Sequence, residues 1–548
     1  LKIPKKIIGM TLAASLAVGT VAVETTPENV GAKKEKAKAD NVIVLVMDGV
    51  SSTTTTLARW YKGGPLAMDE IVTGGVRTYS AESAITDSAP AGTAMATGYK
   101  SNDKFIGVLP ATVSSPGVDP SLANDPYKPV ANVLEGAQAQ GKATGIISTS
   151  EIQHATPAAF SSHAENRSQY DNIAEQQVYQ NMDVILGGGK RALMTPEDDG
   201  SRLDGENLLN VIEERGYDLV ETRDELLNSS SDKLWGAFAP DELAYDLDRE
   251  ALRPEEPTLA EMTGKAISTL SQDKDGFFLF IEGSKPDWAA HGNDVMGMIG
   301  DVLAFDAAVE EALEFAKKDK KTMVVAVSDH GNSGISIGNQ NTSTSYSSLP
   351  VSEVIDPLKD ASMTVEGALS LLEEGHVNLE EAAALYGLKD LTAEEREAID
   401  ASEDLEKTFV ELLAERANIG FTTGGHTGED VFLHSYGPGK PVGMIENTDI
   451  ANAIAAALGF DLGKLDKDLF INAEEAFKGE AFDVRTDITD ENNPVLVVSQ
   501  GKTTAEFPVN KNIVVINGKE IQLNSVTVQT NGQFYISKEA VKAVKKGK

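Results

Sequence analysis

The sequence contains no cysteine. Disulfides, thiolate metal sites and anchoring through a lipidated N-terminal cysteine are therefore excluded. Positive charge is also short: 48 Lys and Arg stand against 85 Asp and Glu, a formal net charge of −37 over 548 residues. That balance argues against nucleic acid or an anionic membrane as partner, since both need a basic footprint. A solvated acidic surface, suited to a secreted protein, is the plainer reading. Histidine is scarce, with seven residues, so where each one falls carries weight. Internal repeats are absent. Long apolar runs are wanting too: "IIGMTLAASLAVGTVAV", which follows Lys2, Lys5 and Lys6, is short and rich in Gly, Ala and Thr for a spanning helix. It matches a secretory signal peptide instead, expected over residues 1–23, with a polar, flexible leader over 24–40. No stable membrane anchor and no nucleic-acid-binding module are expected. An extracellular chain without cysteine points to a Gram-positive secretome.

What is present is an α/β pattern. From Asn41 onward, short apolar runs alternate with helix-like text. "VIVLVM" (42–47), "ATGIIS" (143–148), "FFLFIE" (277–282) and "TMVVAVS" (322–328) are nearly continuous apolar runs, as expected of strands covered on both faces. "DVILGGGK" (183–190) reads as a further strand with a glycine turn; it lacks the spacing and the Lys-Ser/Thr of a P-loop. The expected fold is a three-layer α/β sandwich with a large, mostly parallel central sheet flanked by helices. Its catalytic domain should span 41–349 and 420–480. Residues 350–419 turn polar and Ala/Glu/Leu-rich, an expected helical insertion (crown or lid) in which Thr392 and Glu395 fit a capping box. Residues 481–548 alternate in period two with two Asn-Gly turns, an expected β-rich C-terminal module.

Ligands of open α/β sheets bind outside the carboxyl ends of the strands. Here those ends are charged: Asp48 follows "VIVLVM", Glu282 ends "FFLFIE", and Asp329 and His330 follow "TMVVAVS". One such Asp could be a turn former or helix cap. Three independent strands ending this way make that explanation weak. After Glu282, "GSKPDWAAH" places Asp287 and His291 four residues apart, on one face of a helical turn and suited to gripping one metal. "TTGGHTGED" adds His426 in a glycine-rich loop. His163, His376 and His434 read as structural. By donor chemistry, the imidazole-bearing sites suit zinc and a carboxylate/hydroxyl site suits magnesium. Two zinc ions and one magnesium ion would more than offset Asp48, Glu282, Asp287 and Asp329, giving a locally positive site for a phosphate dianion. The stretch "ITDSAPAGTAMATG" (85–98) offers hydroxyls but does not itself decide which is a nucleophile.

In order along the chain, "VMDG", "TDSAPAGTAMATG", "STSEIQHATPAAFSSHAENR", "EGSKPDWAAH", "SDHG" and "GGHTGED" resemble the alkaline phosphatase family, over about residues 41–430. The resemblance implies that Ser88 is the nucleophile, becoming phosphoserine, and that Arg167 clamps the phosphoryl oxygens. It implies one zinc on Asp48, Asp329 and His330, another on Asp287, His291 and His426, and magnesium on Asp48, Thr156 and Glu282. Asp87 would orient Arg167 or cap the helix of Ser88. His154 stands where some relatives carry Asp, so the third ion could be zinc or cobalt in place of magnesium. Trp288 stands where some carry Lys or His, which removes a second cation from the phosphate. The implied substrates are small phosphate monoesters and the implied assembly is a homodimer, with cell-wall or surface contact through the C-terminal module as a further expectation. A sulfatase would need C/S-x-P-x-R, and the stretch starting at Ser88 ends in Gly92 where Arg is required. A phosphodiesterase or another metal-dependent hydrolase of the superfamily stays open, as does a non-catalytic secreted protein that binds metal or surfaces.

Overall fold

The structure, a computed structural model, describes residues 39–547. The expected signal peptide, and all but the end of the leader, lie outside the described residues. Ten strands build the central sheet: β1 (Asn41–Met47), β2 (Val72–Arg77), β3 (Ala143–Glu151), β4 (Val184–Gly188), β5 (Asp218–Val220), β6 (Leu234–Ala237), β7 (Phe277–Gly283), β8 (Thr322–Ser328), β9 (Val431–Tyr436) and β10 (Gly443–Glu446). Their order across the sheet is β10-β2-β9-β8-β1-β7-β3-β4-β6-β5. β9 is antiparallel to both its neighbours, and every other pairing is parallel. The five strands visible as apolar runs are the five at the centre, β8-β1-β7-β3-β4.

Their composition follows from double coverage. On β1, Val42, Val44 and Val46 join one apolar cluster with Phe278, Phe280 and Val325, while Ile43, Leu45 and Met47 join a second with Leu279, Ile281 and Val324. With a side-chain period of two, both faces must be apolar when helices cover both, so no polar alternation survives. Helix Val295–Asp319, for one, packs Val302, Phe305 and Val309 into the second cluster. The strands at the two ends, β10, β6 and β5, run only three or four residues, and β2 carries Gly74 and Gly75. A Cβ on Gly74 would fall 1.9 Å from the Gly443 carbonyl oxygen of β10, so the pairing itself demands glycine there.

Residues 350–419 are mainly helical, and Thr392 and Glu395 form the expected reciprocal cap of helix Ala393–Asp400. Helix Leu405–Arg416 closes this stretch. Asp294 ties it to the body, accepting from Val365 N–H at 3.1 Å and from the Tyr386 hydroxyl at 2.9 Å. Beyond it, Asp483–Asp487, Val495–Gln500, Thr503–Pro508, Ile513–Ile516 and Lys519–Gln522 form an antiparallel five-stranded sheet. Asn517-Gly518 and Asn531-Gly532 turn with φ of 53° and 78°, and 48° and 70°, the paired positive values of a two-residue hairpin. A three-stranded sheet pairs Gln533–Ile536 with Val528–Thr530 and with Ile471–Asn472, so it draws on chain before residue 481. Lys511 docks these sheets on the body through Glu206 at 2.8 Å and Glu175 at 3.3 Å.

Three histidines fall outside the strand-end constellation. His376 lies in an exposed turn with φ of 57°, and His434 is buried on β9 with its Nδ1 3.3 Å from the Ala326 carbonyl. His163 is buried with Nδ1 2.9 Å from the Gly107 carbonyl and Nε2 3.1 Å from Glu135. Two acceptors call for two N–H donors, which only the imidazolium supplies. Burial pushes its pKa down, but Glu135 and the Gly107 carbonyl outweigh that and leave it raised. A raised value means stability that is complete below the ordinary histidine range near 6.5 and lost as pH climbs through the folded value. His163→Gln should therefore cost about 1–3 kcal/mol at pH 6 and clearly less at pH 9. Denaturant unfolding of both proteins at the two pH values checks this; an equal gap would count against a charged His163.

Candidate active site

The strand ends meet. Asp48 follows β1, and its N–H donates to the Gly283 carbonyl at 2.9 Å. Gly49, with φ of 69°, lets the chain turn there; a Cβ would sit 2.3 Å from Asp287 Oδ1. Asp329 follows β8 and accepts from Gly49 N–H at 3.1 Å, closing β1 and β8 around the rim. His330 Nε2 lies 3.4 Å from Asp48 Oδ1 and 3.3 Å from Asp329 Oδ2. These three residues offer ligand atoms within 4.8 Å of one another.

A second group is Asp287, His291 and His426, again within 4.8 Å. The first two lie on helix Lys285–His291, four residues apart as the sequence indicates, with His291 Nε2 3.4 Å from Asp287 Oδ2. His426 comes from a two-residue strand paired with Gly331–Asn332, and this pairing stacks its ring on His330 at 3.8 Å between centroids. Its Nδ1 is held by the Thr86 carbonyl at 2.9 Å. A third group joins Asp48 and Glu282 to His154. Glu282 Oε2 accepts from Ser148 at 2.6 Å. Thr156 lies fully buried on helix Ala155–Ala159, and its hydroxyl oxygen has no hydrogen-bond partner.

Ser88 opens helix Ser88–Thr97, with Asp87 as its N-cap. Its Oγ is 3.4 Å from Asp48 Oδ2 and 3.3 Å from His330 Nε2, and the residue is 2% exposed. The other hydroxyls of that stretch turn to backbone: Thr86 donates to the Asp87 carbonyl, Thr93 to Phe105 and Thr97 to Thr93. Arg167 spans the site, donating from Nη1 to Asp87 at 2.7 Å and from Nη2 to His154 Nε2 at 2.7 Å. A guanidinium only donates, so this His154 nitrogen is unprotonated. Burial, with the Arg167 charge, brings the His154 pKa down to about 3. Trp288 is half-buried, edge-on to His154 at 5.7 Å between ring centroids. A cation does rest on its ring, Lys285 Nζ at 4.4 Å from the centroid, turned toward Tyr245 and Glu242.

The electrostatics call for cations. Burial, then Asp329, Asp287 and Glu282, hold the Asp48 carboxyl well above its ordinary pKa. Glu282 is pushed up to about 7 chiefly by burial. Asp287 goes the other way: burial raises it, but His291, His330 and His426 pull it below the usual carboxylate range, and His291 is raised to about 9 in return. Asp48 Oδ1, Glu282 Oε1 and Asp329 Oδ2 are all buried with no hydrogen-bond partner. Unpaired buried acceptors are rare and costly. Divalent ions held by these carboxylate and imidazole donors would satisfy them, so the residues fit metal.

Sequence reasoning missed the residues that aim these ligands. Asn332 donates to Asp287 Oδ1 at 2.7 Å. Glu429 accepts from Ser51 at 2.7 Å and Thr427 at 2.8 Å beside the His426 strand. Ser148 and Ser150 occupy the rim end of β3. The available signal was position: each lies within a few residues of a strand end or a ligand.

Residues 39–460 match the family model described as alkaline phosphatase. Alkaline phosphatase 3 of Bacillus subtilis (strain 168) is 34% identical over 495 residues, covering 85% of this chain and 100% of that one. Alkaline phosphatase 4 of the same organism is 36% identical over 446 residues, covering 77% and 89%. Among solved structures, the Thermus thermophilus alkaline phosphatase superposes with a TM-score of 0.67 at 28% identity, covering 77% of this chain and 92% of that one. With its strand-end carboxylates and imidazoles gathered around a buried serine, the chain belongs to the alkaline phosphatase family and is a phosphatase.

Proposed function

We propose that the protein is a secreted, metal-dependent phosphomonoesterase that works through a phosphoserine at Ser88. The observation that carries this reading is the burial of Ser88 Oγ between Asp48 and His330, at a helix start and beside Arg167. Asp48, Asp329 and His330 would hold one zinc, and Asp287, His291 and His426 the other. Asp48, Thr156 and Glu282 would hold magnesium, with His154 beside them. Bound there, the ions would supply Lewis acidity, lowering the pKa of the Ser88 hydroxyl and stabilising charge on the entering and leaving oxygens.

The protein's own groups do the rest. Ser88 Oγ, its proton given up to solvent, attacks phosphorus; the new Ser–O–P bond forms as the bond to the alcohol oxygen breaks, and that oxygen leaves as an alkoxide that takes a proton from water. The positive end of helix Ser88–Thr97 favours negative charge on Ser88 Oγ and on the phosphoryl group. Arg167 is aimed by two partners, Asp87 and His154, so its guanidinium plane is set before substrate arrives. Asp287 is itself fixed by Asn332. Water then cleaves the phosphoserine and releases phosphate; two inversions give net retention at phosphorus.

Monoesters suit this site better than diesters, which carry one fewer charge for Arg167 to meet. The test compares p-nitrophenyl phosphate with its bis-ester on metal-replete protein. A kcat/KM at least about a hundredfold higher for the monoester is expected, since charge-matching groups are worth that much in transition-state binding. Elemental analysis should find about two zinc and one magnesium per chain. Comparable turnover of the diester, or activity without metal, would overturn the proposal.

A further inference from the structure

A groove of about 630 Å³ opens at His291, between helix Leu405–Arg416 and the loop at 339–341. His291 is the open member of the metal-binding groups: its side chain is 46% exposed, against 7% for Asp287, 12% for His426 and 0% for Asp48 and His330. Ser88 lies against the Asp48/His330 group. In an in-line displacement the leaving oxygen departs on the side opposite the nucleophile. In the proposed mechanism that side falls to the Asp287/His291/His426 group, whose His291 lines the groove. The groove is therefore where the alcohol portion of a phosphate ester has room to lie.

Its lining has a definite chemistry. Val410, Ala414 and Ile419 give it an apolar wall, and Phe421 adds an aromatic side chain. Glu406 reaches the inner end, its Oε1 3.4 Å from where a Cβ on Gly292 would be, directly after His291. Glu411 is offset by Lys407 at 3.9 Å, while Asp404, Glu406 and Glu415 have no ion-pair partner among the described residues. An apolar wall, an aromatic ring and unpaired carboxylates together suit a soft organic cation, and would repel an anionic alcohol.

We propose that this groove is the leaving-group subsite, and that it selects phosphate monoesters of alcohols carrying an alkylammonium group. The proposal rests on the phosphomonoesterase reading above and extends it to the substrate's other half. It also assigns helix Leu405–Arg416 a part in specificity, as the wall that carries the carboxylates.

The test measures kcat/KM of the metal-replete protein for phosphocholine and for 3,3-dimethylbutyl phosphate, its uncharged carbon isostere, at fixed ionic strength. Intrinsic reactivity differs between the esters but cancels when the ratio is compared between variants. Glu406→Gln and Glu415→Gln should each lower the ratio by about two- to fivefold, the size of a solvent-exposed ion pair. Glu406→Lys should lower it further, and added salt should compress the wild-type ratio. An unchanged ratio in all three variants, with both esters turned over, would overturn the subsite while leaving the phosphomonoesterase standing. Failure on phosphocholine alone would likewise overturn the subsite, whereas a wild type that hydrolyses neither ester nor p-nitrophenyl phosphate would bring down the phosphomonoesterase reading, and the subsite with it.

Discussion

Ser88→Ala is expected to lower kcat for p-nitrophenyl phosphate by at least about a thousandfold, the scale seen when a nucleophile is removed from an otherwise intact site. The change is nearly silent sterically. Ser88 is 2% exposed, and its Oγ contacts are the long ones to Asp48 and His330, at 3.4 and 3.3 Å. Ala89, Ala91 and Ala94 already line the same helix, so alanine suits its first turn. The fold, the metal-binding groups and Arg167 should therefore survive, and the loss can be assigned to the nucleophile. Two measurements check it. Steady-state kinetics should show the drop in kcat, with residual turnover from water attacking in the serine's place. Acid quenching of wild type during turnover should trap one phosphoryl group per chain, at Ser88, and none in the variant. Variant activity within a few-fold of wild type would mean that another group attacks phosphorus.

Stripping the metals should be as severe. Asp48, Glu282, Asp287 and Asp329 are 0%, 0%, 5% and 1% exposed and converge on one rim. Without cations their charges repel in a poorly solvated site, and oxygens on Asp48, Glu282 and Asp329 have no hydrogen-bond donor. Exhaustive chelation should cut turnover to below about a thousandth, because the serine hydroxyl loses its activation. It should also lower Tm by about 5 °C or more, since ions that bind the folded chain stabilise it by mass action. Zinc and magnesium together should restore both properties. Full activity in protein shown metal-free by elemental analysis, or an unmoved Tm, would refute the assignment. Having Tm as a second readout separates loss of the ions from mere inhibition by the chelator.

Much of this was legible from local pattern. A strand buried on both faces needs apolar residues at nearly every position, so β1, β3, β7 and β8 announced themselves. A charged residue at the last positions of such a strand or immediately after it must lie at the sheet's rim, which pointed to Asp48, Glu282 and Asp329. The i, i+4 pair Asp287 and His291 followed from helical spacing, and both Asn-Gly hairpins from turn chemistry. β2 was missed because its glycines answer to a distant strand: Gly74 is required by Gly443, far along the chain. β5, β6 and β10 were missed because they run only three or four residues, too short for an apolar run to register.

The sequence by itself determined the α/β class, the central strands, the kinds of ligand available and the family, because each depends on residues close together in the chain or on motifs read in order. Only the tertiary structure decided that Ser88 lies against Asp48 and His330, that Arg167 is held by Asp87 and His154 at once, and that His426 stacks on His330. It alone left His291 open to a groove walled by a helix more than a hundred residues further on. Such contacts depend on strand order and on how the connecting loops close. No local periodicity encodes those, because they are set by the packing of the whole sheet and its helices.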